Sequence, residues 1–179
     1  MSNRCAMIHK SQIPDPFLYE LWDRLCDSKI EKLTFYDGAA TDHHSFRDFV
    51  RFHGTHFWAM FYDKEPAGFM WVNGIQGRSG YAHFAFFKEF RGEKAITLGR
   101  FGNASILRFK DDKDRYLLDV LIGVTPRDYK LALRFVKRCG AVVCGEIPYG
   151  TWFAETDQTQ DAIISSVTRE STEESWIHA

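Results

Sequence analysis

Cysteine is scarce and scattered in this chain. Its four residues, Cys5, Cys26, Cys139 and Cys144, form no Cys-x-x-Cys pair. That argues against a disulfide framework and reads as reduced thiols in a cytoplasmic protein. Long apolar runs are missing too. No stretch approaches the roughly 18 residues of a membrane span, and "MSNRCAMIHKSQIP" lacks the apolar segment of a signal peptide. Net charge is nearly absent, with 23 basic against 24 acidic side chains, which argues against a dedicated nucleic-acid surface. There is no internal repeat and no low-complexity segment.

What the chain does have is length and apolar bulk. Its 179 residues are 45% hydrophobic and 16% aromatic, with 16 Phe. That suits a single domain over residues 1–179 with a full-sized core that needs no staples. After Arg169, "ESTEESWIHA" is polar and reads as a loose tail over 170–179.

The periodicities give an order of elements. "NRCAMIHK" reads as a first strand. In "DPFLYELWDRLCDS", Asp15 is placed to cap, Pro16 takes the first helical position, and Leu18, Leu21, Trp22 and Leu25 form an amphipathic stripe. "DHHSFRDFVRFHG" repeats the pattern with Phe46, Phe49, Val50 and His53, and Gly54 is its stop. "THFWAMFYD", "AGFMWVNGI" and "YAHFAFFK" then read as an antiparallel meander, with "KEP" and "GRSG" as links. A long helix follows from about Glu93 to Leu107. "RYLLDVLIGV" is apolar enough for a central strand. "TPRDYKLALRFVKRCG" looks like a helix opened by a capping box of Thr125 and Asp128 with Pro126 at its first position. Ala132, Phe135, Val136 and Cys139 would be its buried stripe and Gly140 its end. "AVVCGEIPY" and "QDAIISSVT" close the order β-α-α-β-β-β-α-β-α-β-β.

That order, with an Arg-Gly turn between the fourth strand and the third helix, resembles the GNAT superfamily of acyl-CoA-dependent N-acetyltransferases over nearly the whole chain. "KEFRGEKA" resembles the family's acetyl-CoA phosphate loop: Arg or Gln, two residues, Gly, one residue, then Gly or Ala. "LALRFVKRCGAVVCGEIP" resembles its fourth helix and the turn into its sixth strand. "DAIISSVTRES" resembles the closing strand of the ribosomal-protein N-acetyltransferase branch and its bacterial and phage-encoded relatives. The resemblance implies an α/β, single-domain GNAT-like fold, with a mixed, mostly antiparallel sheet of about seven strands flanked by about four helices. In it the fourth and fifth strands run parallel and splay apart to open a slot. It also implies acetyl-CoA as co-substrate and acetyl transfer to a primary amine: a protein N-terminus, a lysine or a small molecule. The partners expected are acetyl-CoA and an amine acceptor, with no nucleic acid and no membrane, and the chain is expected as a monomer or homodimer. The alternative is a catalytically inactive GNAT-fold interaction or assembly protein of phage type with a degenerate cofactor loop.

The site residues follow from the same resemblance. Phe86, Phe87 and Lys88 lead into the loop; Arg91, Gly92, Glu93, Lys94, Ala95 and Ile96 form it; Thr125 and Arg127 stand across the slot. A pyrophosphate suits such a place, because backbone amides and the positive end of a helix dipole meet it there and glycine lets it come close. Arg91 and Gly92 match the family pattern. Lys94 falls where the family has its second glycine and Ile96 where it has Gly or Ala. Two readings stay open: Lys94 swings outward and adds a charge to the phosphates, or the loop no longer binds them. Gly99 and Gly102 inside the helix mark tight packing on a sheet or on a ligand.

For the chemistry, His83 is the base candidate, acting through water with an ionisation in the ordinary His range, against the reading of a core His with one hydrogen bond. Asp119 is the companion carboxylate, paired with His83 or facing water at a strand end. The tyrosine the family uses as acid is replaced by Val136, and Tyr129 stands too early in the helix to substitute. His43, His44, His53 and His56 lack metal-site spacing, so no metal is assigned, and they read as an acceptor-groove wall. Trp58, Trp71 and Trp152 read as core, and "RFKDDKDR" as a solvated loop.

Overall fold

The structure is a computed structural model in which residues 4–172 are described. The strands are β1 (Cys5–His9), β2 (His56–Tyr62), β3 (Glu65–Gln76), β4 (Ser79–Phe86), β5 (Val120–Pro126), β6 (Val142–Phe153) and β7 (Gln158–Thr168). The helices are α1 (Asp15–Asp27), α2 (Glu31–Thr34), α3 (His43–Arg51), α4 (Glu93–Leu107) and α5 (Lys130–Arg138). The expected order holds, with the four-residue α2 and two short 3-10 turns added. No helix among the described residues is long and apolar enough to cross a membrane.

One sheet runs through the molecule in the order β1-β2-β3-β4-β5-β7-β6. Only β4 and β5 pair parallel; the other pairs are antiparallel. Alternation along the strands puts one set of side chains under α1 and α3, where Phe46 packs on Phe57 and Phe69. The other set lies under α4 and α5. There Gly102 brings α4 so close to the sheet that a Cβ would lie 2.5 Å from Met70 Sδ. Gly99 does the same for α5, where a Cβ would lie 2.5 Å from Cys139 Sγ. Both glycines thus serve packing. In α1 the stripe is as expected, with Leu18, Leu21, Trp22 and Leu25 all buried. Each such side chain contributes roughly 1.5–3 kcal/mol through burial.

Several boundaries differ from the pattern reading, each for a local reason. Asp15 does not cap α1; Pro14 occupies the cap position, and the Asp15 carboxylate instead takes Arg51 of α3 at 2.6 Å. Asp42 is the cap of α3, in a reciprocal box with Ser45. His53 lies exposed beyond that helix. The link between β2 and β3 is Asp63 and Lys64, both at positive φ, so that Glu65 and Pro66 already belong to β3. Strand β5 starts only at Val120 and runs through Thr125 and Pro126, which pair with Ile163 and Ala162 of β7. The expected capping box is therefore extended strand. Helix α5 begins at Lys130, after Tyr129, without a side-chain cap. Trp71 is core, but Trp58 is half-buried and Trp152 is exposed with its Nε1 donating to Asp157. Residues 169–172 form a helical turn rather than a loose tail; the rest of that expectation lies outside the described residues.

Candidate active site

Strands β4 and β5 share only three paired positions: Ser79 with Val120, Gly80 with Leu121 and Tyr81 with Ile122. They then part after Tyr81 and Ile122, as the resemblance implies. From Ala82 to Phe86 and from Gly123 to Pro126 the facing edges have no partner in each other. Unpaired strand edges carry amide donors and carbonyl acceptors that need one. The gap is the floor of a cleft of about 460 Å³. His83, Phe84 and Phe86 of β4 line one side, Gly123 and Thr125 of β5 the other, with Tyr36 and Tyr129 at the mouth.

Beyond β4 the chain turns through Lys88–Phe90 into α4. Gly92 stands at the helix cap with φ 73° and ψ −134°, a conformation that side chains resist, and a Cβ there would meet nothing within 4 Å. No side chain caps the helix. The first amide to bond back is that of Ile96, to Gly92 O at 3.2 Å. Its N–H is thus spent within the helix, and the first-turn donors left are those of Glu93, Lys94 and Ala95. Arg91 braces the turn by donating to Ser28 O at 2.7 Å, and Lys88 N donates to Ser28 Oγ at 3.1 Å. Lys94 Nζ lies over the rings of Phe90 and Tyr62, at 5.3 and 5.7 Å. Tyr62 is on β2, on the side of β4 away from β5, so this cation leans away from the cleft. Glu93 is held by Arg138 at 2.8 Å. First-turn amides without a partner among the described residues, at an open glycine turn next to unpaired strand edges, fit a pyrophosphate followed by an amide-bearing arm.

The other expected residues distribute as follows. Phe86 lines the cleft with Phe84 and Phe135, whereas Phe87 is fully buried beneath the Arg24 guanidinium. Thr125 lines the cleft, but Arg127 sends its guanidinium to Glu146 and Asp161. His83 lies flat on Trp71, and its Nε2 is 3.3 Å from Asn73 Oδ1. Burial pushes its imidazole down to about 4, opposed by the charge of Asp37. An ionisation in the ordinary His range is therefore not what this ring has to offer. The structure does not bring His83 and Asp119 together. Asp119 sits just before β5, bonded to Arg169 and, at 2.9 Å, to Arg78. The Arg169 bond holds its carboxyl below the usual range. Since Ser79 faces Val120 in a parallel pair, Asp119 stands level with Arg78, and His83 lies about five residues, roughly 16 Å, farther along the sheet.

Tyr36 escapes the pattern reading, which sets Tyr129 aside as too early in the helix. Tyr36, in the loop after α2, and Tyr129, at the start of α5, meet with ring centroids 6.1 Å apart and both line the cleft. Burial raises both phenols, that of Tyr36 to about 12, so they stay protonated donors at neutral pH. The only sequence signal was Tyr129 near the helix start. A second groove, of about 800 Å³, lies alongside between α3 and the ends of β2 and β3, lined by Phe49, Phe52, His56, Asn73 and Ile75. Of the four histidines expected in such a wall, His56 is there. His43 instead bonds Asp23 of α1 at 2.8 Å, and His44 packs on Tyr19. No cluster of metal-binding side chains occurs among the described residues.

No protein-family model matches the sequence, and no curated protein does. Solved structures do match in shape. RimL, a ribosomal-protein alpha-N-acetyltransferase solved in complex with coenzyme A, superposes with a TM-score of 0.75 at 12% identity, covering 95% of this chain and 97% of its own. The microcin C7 self-immunity acetyltransferase MccE, in complex with acetyl-CoA and AMP, gives 0.72 at 13% identity over 93% of each chain. The spermidine N-acetyltransferase of Vibrio cholerae, with CoA and spermine, gives 0.70 at 11% identity over 96% of this chain and 99% of its own. Over 93–96% of its length the chain shares the GNAT-like fold of these acetyltransferases.

Proposed function

We propose that this protein transfers the acetyl group of acetyl-CoA to a primary amine, using the cleft between β4 and β5. The observation that carries the reading is the parting of these two strands after three pairs, beside a glycine turn whose helix amides are free. Solved proteins of the same fold hold CoA or acetyl-CoA and act on a ribosomal protein or on spermidine. The amides of Glu93, Lys94 and Ala95 hold the pyrophosphate at the open turn of Gly92, with Arg91 as its brace. Phe86 and Thr125 flank the arm that enters the cleft, and the co-substrate supplies the activated acetyl group.

The chain's own groups then handle protons. His83, neutral at physiological pH, accepts the proton that the amine gives up, directly or through one water. Tyr129 or Tyr36 donates to the departing thiolate, in place of the acid that Val136 cannot be. Asp119, tied to two arginines at the far end of β5, serves as a structural ion pair in this scheme. The acceptor reaches His83 through the groove beside Asn73. A cytoplasmic setting suits the four free thiols. Val136 favours a second reading, a silent GNAT-fold interaction module of phage type, because it puts an inert side chain on the cleft wall.

Acetyl-CoA titration by calorimetry tests the reading. The wild-type protein should bind. Gly92→Asp places a strained side chain and a negative charge at the turn and should weaken binding at least about 10-fold, or about 1.4 kcal/mol. A wild-type protein that does not bind acetyl-CoA leaves the silent module as the better account.

A further inference from the structure

The His83 ring is held from two directions, and the two contacts do different work. One face lies on Trp71, with centroids 4.6 Å apart and planes 4° from parallel. That fixes the plane of the ring but not its edge. A half-turn about χ2 exchanges Nδ1 with Cδ2 and Nε2 with Cε1 and leaves the stack unchanged. Only the contact of Nε2 with Asn73 Oδ1, at 3.3 Å, tells the two orientations apart. An amide oxygen is an acceptor only, so in a neutral imidazole the nitrogen facing it carries the proton. Nδ1 is then the bare nitrogen, and it has no hydrogen bond among the described residues. The pair also stands between the two openings: His83 lines the cleft and Asn73 lines the groove beside it.

We infer that Asn73 is a positioning residue that locks His83 in the Nε2–H tautomer and leaves Nδ1 to receive the proton of the acceptor amine. The purpose rests on the acetyl-transfer reading; the geometry does not. As the amine nitrogen bonds to the acetyl carbon and the C–S bond breaks, with the electron pair leaving on sulfur, the ammonium proton passes to Nδ1. The ring becomes an imidazolium whose Nε2–H still donates to Asn73. Deprotonation by solvent restores the resting tautomer. The charged group acting on the ring is Asp37, from the loop after α2.

Long-range proton–nitrogen correlation on protein labelled with 15N-histidine reads the tautomer directly. In the wild type at neutral pH, His83 should show a protonated Nε2 and a bare Nδ1. Asn73→Leu should populate the other tautomer and lower kcat about 10-fold while leaving acetyl-CoA affinity unchanged, since a single hydrogen bond is at stake. Asn73→Asp keeps an acceptor at the same place. It should retain the Nε2–H form, restore most of kcat and raise the ring's titration by about one unit or more. A protonated Nδ1 in the wild type overturns the inference, as does Asn73→Leu with unchanged tautomer and unchanged kcat. Failure of the wild type to bind acetyl-CoA would remove the transfer reading, and the tautomer would then decide the positioning claim by itself.

Discussion

The two sides of the sheet are built from different material. On the β1–β4 side, Phe46, Phe57, Phe69, Phe87, Met60 and Met70 are fully buried, and aromatic rings meet in a continuous cluster. On the β5–β7 side, α5 buries no residue and β6 buries only Thr151. Leu131 is 79% exposed and Tyr149 77%. What holds this side is the long ladder between β6 and β7, with β5 alongside, and a few ion pairs. The cleft lies on the seam. A rigid half can present β4 with an unpaired edge because its stability comes from the core behind it. The softer half can stand away from that edge because it gains little from closing on it. A ligand arm can then supply the contacts that the missing strand pairing would have made.

The sharpest way to break this comparison is to remove one phenylalanine from each side. Phe46→Ala empties a site at the centre of the aromatic cluster and should cost about 3–5 kcal/mol by urea denaturation. Phe135→Ala removes a ring that is only half-buried against Phe84 and Phe86 and should cost about 1–2 kcal/mol, because half the transfer energy was never gained. Equal losses would mean that the core does not stop at the seam.

The same division governs how much could be read from the sequence. The β1–β4 side was legible. Its strands alternate or run apolar, the α1 stripe is buried, and of the α3 stripe Phe46 and Val50 are buried while His53 lies exposed beyond the helix. The β5–β7 side misled at its edges. Thr125 and Pro126 carry a helix-start signal, yet β7 pairs with both and keeps them extended, a tertiary contact that local chemistry does not show. Asp119 reads from its apolar run either as a partner of His83 or as a carboxylate facing water at a strand end, and it sits part-exposed just before β5. Its partners, Arg78 and Arg169, lie 41 and 50 residues away. At the candidate site the turn at Gly92 was visible, because one residue type answers to one backbone requirement. The setting of His83 was not, because Trp71 and Asn73 reach it across the hairpin.

A smaller effect should appear with pH, and it belongs to the β1–β4 side. The His83 imidazole is pushed down to about 4 in the folded protein, against about 6.5 when exposed. Between those values the unfolded chain binds the proton and the folded one does not. Stability is therefore complete above about pH 6.5 and declines as pH falls towards 4, by an amount on the order of 2 kcal/mol. Melting curves from pH 7 to 4.5 should show this decline in the wild type and a shallower one in His83→Gln, which has no proton to gain. Parallel curves would mean that the ring is not desolvated as the Trp71 stack implies.

The smallest effect should come from the charges on the softer side. Arg127 links β6 and β7 through Glu146 at 2.5 Å and Asp161 at 2.8 Å. The arginine side chain is half-exposed and its partners are about one-third exposed. Pairs so open to water contribute about 0–1 kcal/mol each, and salt screens them. The backbone link from Arg127 N to Asp161 O, at 2.9 Å, survives any change of side chain. Arg127→Ala should therefore cost less than about 1 kcal/mol in urea, and less still in high salt. Acetyl-CoA affinity should not change, because the guanidinium is already committed to two carboxylates. A loss above about 2 kcal/mol that persists in high salt would show a softer half held by charge rather than by its ladder. A fall in acetyl-CoA affinity would return Arg127 to the cofactor.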